Sequence, residues 1–158
     1  MRLNLSNKIL ISFIRISLFL LLVLWLVGFT SPCIDSSFLK SLFPIQKQLF
    51  SVVCHQEIER SFDCGNAALL VCARCSGIYF GSAIASLIII FIRKSFIIKT
   101  KWLILFSLPM LLDVLLLTFG IYDYNKLVSS ITGLLFGSIV FLYILSAIEN
   151  LLLQKNNL

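Results

Sequence analysis

An all-α fold, an integral membrane four-helix bundle with a short amphipathic helix in its first outer loop, is what this sequence predicts, on three observations. Hydrophobic residues make up 59% of the 158 residues and charged residues only 13%. The mean hydropathy of +1.04 is far above that of a soluble globular chain. Four apolar runs each approach the roughly 20 residues that a helix needs to cross about 30 Å of hydrocarbon. The Lys and Arg residues behind the net charge of +6 sit in short clusters between those runs. That is the pattern of topology signals, and it leaves no basic face for nucleic acid.

One membrane domain, residues 1–158, is expected, with spans at about 9–29, 69–92, 102–121 and 127–148. The first run follows Arg2 and Lys8 but is too long for a signal core and has no small-x-small cleavage site behind it, so it reads as a membrane helix. Arg15 lies near the start of that span, where its long side chain can snorkel to the interface. Pro109 falls inside the third run and predicts a kink that neighbouring helices can accommodate. Gly77, Gly81 and Ala85 recur at four-residue spacing in the second run, and Gly133 and Gly137 in the fourth. Small residues at that spacing allow close backbone approach. Tyr79, Tyr122, Tyr124 and Trp102 suit interfacial anchoring.

Sidedness follows from the cations outside the spans. Arg2, Lys8, Arg93, Lys94, Lys99, Lys101 and Lys155 outnumber Lys40, Lys47, Arg60 and Lys126, which predicts both termini in the cytoplasm of a bacterial inner or plasma membrane. The segment 30–68 is then outside. In it, Ile45, Leu49, Val52 and Val53 follow Pro44 at helical spacing, which predicts a short amphipathic helix on the membrane surface. Glu57, Glu59 and Arg60 read as a solvated turn in which Arg60 can pair with a nearby acid.

All five cysteines fall on that outer side or at the start of the second span. Cys72 and Cys75 form a C-x-x-C pair, one helical turn apart on one face if the helix begins near Ala68. Free amides at that helix end favour thiolate. Upstream stand Cys54 and His55, the chain's one histidine. Cys54, His55, Cys72 and Cys75 supply the four N or S ligands of a tetrahedral site, and Cys64 can replace one of the two adjacent residues. The expected cofactor is a transition-metal ion such as zinc. C-x-x-C serves dithiol exchange and structural disulfides equally well, so a thiol–disulfide oxidoreductase and a structural or assembly factor stay open as alternatives. Arg74 and Asp113 lie about 7 to 12 Å below the outer boundary of their helices, a depth at which two charges are best met by pairing. The expected partners are the lipid bilayer and a protein partner or a second copy of the chain.

At "CHQEIERSF", "CARCSGIYFG" and "LPMLLD…TGLLFG" the sequence resembles a family of small membrane proteins known as domain of unknown function 2085. The resemblance covers roughly Cys54 to Gly137. It implies site residues at Cys54, His55, Gln56, Arg60, Ser61, Cys72, Arg74, Cys75, Gly77, Tyr79, Pro109, Asp113, Gly133 and Gly137, and brings no activity with it. Cys33 and Cys64 stand outside the pattern. An arginine that members carry before the T-G motif is missing here, with Ser129 near its place.

Overall fold

The computed structural model describes residues 5–34, 37–65, 67–92 and 98–155. Arg2, Arg93 and Lys94, three of the charges that argue for sidedness, lie outside the described residues, as do the side chains of Lys8, Lys40 and Lys155. Among the described residues four helices are long and apolar enough to cross a membrane. They are α1 (Leu5–Thr30), α3 (Ala73–Phe91), α4 (Thr100–Thr118) and α5 (Lys126–Lys155). Between the first two lie α2 (Ser37–Ser51) and an antiparallel hairpin of β1 (Ser61–Asp63) and β2 (Ala68–Cys72). The all-α membrane bundle expected from the sequence is the observed architecture.

Helix ends and hydroxyl groups show how the backbone manages without water. Thr30, Ser82, Ser107, Thr118 and Ser138 each donate to a carbonyl one turn back, at 2.6 to 2.9 Å, so these polar side chains cost little at bilayer depth. Helix α4 stops at Gly120, whose positive φ of 65° lets the Ile121 amide reach Leu116 at 3.0 Å and the Gly120 amide reach Leu117 at 3.1 Å. That closes the last carbonyls in a Schellman arrangement. Asn125 then caps α5, its Oδ1 accepting from the amides of Leu127 at 2.9 Å and Val128 at 3.3 Å.

The centre of the bundle is the parallel pair α3–α5. A Cβ added at Gly77 would collide with the Ser130 carbonyl and one at Gly81 with that of Leu134, while Gly133 and Gly137 face the Arg74 and Ile78 carbonyls in return. Both small-residue repeats therefore form one backbone-to-backbone contact. Ser82 donates to the Gly137 carbonyl at 3.1 Å and Ser138 to that of Gly81 at 3.0 Å, which locks the register. Helix α1 packs on α3 and α4 on α5.

Four expectations need correction. The second membrane helix begins at Ala73, because residues 68–72 pair with β1 as a strand. Helix α2 begins at Ser37, so Pro44 is interior and forgoes one backbone bond rather than opening the helix. Arg15 does not snorkel. It is buried, with Nε 2.7 Å and Nη2 2.9 Å from the two carboxylate oxygens of Glu149. Tyr79 points into an aromatic cluster, with its ring centroid 6.0 Å from Trp25 and 5.8 Å from Phe29.

Candidate functional site

Three stretches converge at one end of the bundle. Helix α2 unwinds after Ser51, and the amides of Val53 and Cys54 both return to the Phe50 carbonyl, at 3.2 and 3.0 Å. This turns Cys54 inward onto a core of Phe29, Phe50, Leu70 and Val71, against which Cys72, Cys75 and Tyr79 also pack. The hairpin delivers Cys72 at its last residue, and α3 carries Cys75 in its first turn. The sulfur atoms of Cys54, Cys72 and Cys75 all lie within 4.8 Å of one another.

The backbone around the trio points hydrogen toward sulfur. The Cys72 amide donates to Cys54 Sγ at 3.2 Å, and the amide of Gln56 also reaches that sulfur. Gln56 can do so because it adopts a left-handed conformation at φ 53°, held by its side-chain amide donating to the Lys47 carbonyl at 2.9 Å. Hydrogen bonds from the Cys72 and Cys75 thiols push the Cys54 thiol well below its ordinary range, and the same bond to Cys54 pushes Cys72 up. The two neighbouring thiols thus favour the thiolate form of Cys54.

The other cysteines are elsewhere. Cys33, in the short 3-10 turn after α1, is joined to Cys64 at the hairpin turn by a disulfide spanning 31 positions. A cross-link of that length restrains the unfolded chain by about 3 to 4 kcal/mol. It ties the hairpin that carries Cys72 to the end of α1. Cys64 is therefore not a free ligand. His55 is exposed and stands outside the trio, since consecutive residues on the extended turn after α2 send their side chains in different directions. Of the four-ligand set read from the sequence, the structure brings together the three thiols.

Beside them, Arg74 Nη2 lies 2.6 Å from Asp113 Oδ2, so the contact expected from their depths is present. Ser129 donates to the same oxygen at 3.0 Å and Tyr122 donates to Oδ1. That bond raises the Tyr122 hydroxyl pKa. The sequence alone gives neither residue this role: Ser129 stands near the place of a missing arginine, and Tyr122 reads as an interfacial anchor. The usable signal was Ser129 itself, a hydroxyl in an apolar span that needs a partner. Arg60, in the loop, pairs with Glu57 at 2.7 Å and lies 5.4 Å over the Tyr124 ring.

A family model described as a predicted membrane protein, DUF2085, matches residues 54–143. The uncharacterized protein MJ1492 of Methanocaldococcus jannaschii is 33% identical over 123 residues, covering 76% of this chain and 79% of that protein. No solved structure matches the chain.

Proposed function

Because the chain belongs to the DUF2085 family of predicted membrane proteins, whose matched segment opens at Cys54 and includes every free thiol, we propose that Cys54, Cys72 and Cys75 bind a soft transition-metal ion such as zinc at the end of the bundle. The observation that carries this reading is the convergence of three sulfur atoms within 4.8 Å. Tetrahedral zinc with Zn–S near 2.3 Å sets its sulfurs roughly 3.8 Å apart, so the trio needs only a small contraction. Thiolates select zinc or copper(I) over magnesium or calcium. Amides of Cys72 and Gln56 directed at Cys54 Sγ act as the outer support that metal-bound sulfur needs.

Three protein ligands leave a fourth position for an exchangeable group. Arg74, between two of the ligands in sequence, is held by Asp113 and offsets negative charge at the thiolates. In this reading both termini are cytoplasmic and the trio is outside the cell membrane. The Cys33–Cys64 disulfide supports that placement, because such bonds persist in oxidising compartments.

The test is metal analysis of protein purified in mild detergent under reducing, chelator-free conditions. About one zinc per chain is expected, lost in Cys54→Ser, Cys72→Ser or Cys75→Ser and kept in His55→Ala. Absence of stoichiometric metal in the parent protein overturns the proposal. A second reading, thiol–disulfide exchange, is favoured by a free Cys72/Cys75 pair coexisting with a closed Cys33–Cys64 bond. Its mark is a mixed disulfide with a partner protein, trapped through Cys72 or Cys75.

A further inference from the structure

A groove of about 610 Å³ runs along the bundle between α1 and α5. It is open because α1 packs on α3 and the glycine contact draws α3 against α5, so that α1 and α5 stand apart along the groove and are joined at its end by the Arg15–Glu149 pair. One end lies at Leu18 and Ile148, beside the Arg15–Glu149 pair; the other lies at Phe50 and Tyr79, beneath the thiols. Leu18 to Gly28 on α1 alone spans about 15 Å. Both walls belong to helices long and apolar enough to cross a membrane, and α2 closes the thiol end with Gln46, Leu49 and Phe50, so the groove is placed to take a molecule from the bilayer.

Its polarity is one-sided. Along the walls the lining is Leu, Ile and Phe, and polar groups occur only at the thiol end, as Gln46, the Trp25 indole and Tyr79. Among the described residues no charged one lines it, so a phosphate headgroup would find no countercharge on these walls and would be costly to desolvate there. The Trp25 N–H is buried and, apart from the Tyr79 hydroxyl beside it, has no acceptor among the described residues. Trp25 and Phe50 lie edge to face with centroids 4.7 Å apart. An apolar wall that ends in aromatic faces and hydrogen-bond donors suits a single hydrocarbon tail carrying a neutral, planar head with carbonyl acceptors. We infer that this groove binds a lipid-soluble quinone, with the tail along α1 and α5 and the ring between Trp25, Phe50 and Tyr79. The inference goes beyond the metal reading and does not depend on it.

The test uses the full chain in lipid nanodiscs with Trp102→Phe, which leaves Trp25 as the remaining tryptophan of two. Titration with decylubiquinone is expected to quench Trp25 fluorescence saturably. Ile144→Phe, at an exposed position on the groove wall, puts a larger ring into the channel and is expected to weaken binding at least roughly tenfold. Tyr79→Phe removes one donor and is expected to weaken it about three- to tenfold. Cys72→Ser with Cys75→Ser is expected to leave quenching intact while removing the metal, so the two readings fail separately. Quenching that grows linearly with quinone per lipid, or that is unchanged in Ile144→Phe, overturns the inference. So does quenching that vanishes in the serine variant and accompanies a covalent quinone adduct on the parent's thiols.

Discussion

Two arginine–carboxylate pairs sit at opposite ends of this bundle, and they are built differently. Arg15 meets Glu149 through two parallel bonds, and its remaining nitrogen donates to the Ile89 carbonyl at 3.0 Å. The side chains are 6% and 3% exposed. Arg74 meets Asp113 through one bond and keeps 18% exposure. Its carboxylate is completed by hydroxyls of Ser129 and Tyr122. Each pair pins one flanking helix to the α3–α5 centre: the first holds α1, the second holds α4. Since α1 and α4 are buried over only a small part of their length, each relies on its clamp for position. One clamp ends on backbone carbonyls and is saturated. The other ends on side-chain hydroxyls beside the thiol trio, where it can be retuned by substitution.

The largest expected effect breaks the saturated clamp. Glu149→Leu leaves Arg15 buried without its countercharge, and removing one partner of a buried pair costs about 3 to 5 kcal/mol. Thermal unfolding in detergent should show it as a large drop in midpoint. Adding Arg15→Leu should restore part of the loss, because the buried guanidinium left without its countercharge is then gone. If the double variant is no more stable than the single one, the pair does not clamp α1. Asp113→Asn should cost less, about 1 to 3 kcal/mol, because the amide still accepts hydrogen bonds and Arg74 is partly open to solvent. Its distinguishing readout is the α4 end: amide exchange should rise in residues 100–118 while α1 stays protected.

The two clamps also mark what the sequence could and could not reveal. Arg74 and Asp113 were legible because both fall inside apolar runs, where two opposite charges argue for pairing, although α3 begins at Ala73 and leaves Arg74 in its first turn. Arg15 and Glu149 were not, because the fourth apolar run ends at Ile148 and so places Glu149 outside the membrane. Helix α5 in fact continues to Lys155, which brings that carboxylate back against α1. The thiol trio was legible as a cluster, and its ring of apolar support was not. "AALLVC" runs without a break into the apolar helix behind it, and periodicity alone cannot separate a short buried strand from a helix start. The partner of Cys33 was equally hidden, since pairing depends on where the hairpin turn falls. His55 looked like a ligand from its neighbour, but adjacency along an extended turn does not place two side chains on one metal.

Ser129→Ala gives the smallest effect and the finest test of the contrast. The Ser129 hydroxyl donates to Asp113 Oδ2 at 3.0 Å, and Arg74 Nη2 approaches it at 3.4 Å, so its loss leaves the ion pair standing with one donor fewer. A cost of about 1 kcal/mol is expected. The informative variant is Ser129→Ala combined with Asp113→Asn. If the hydroxyl acts only by completing the carboxylate, the double variant loses less than the sum of the singles, a coupling that a double-mutant cycle reads directly. Additive losses would mean that Ser129 merely packs against α4. The clamp at the thiol end would then be an ion pair completed by the Tyr122 hydroxyl, and its difference from Arg15–Glu149 would rest on that bond and on depth of burial.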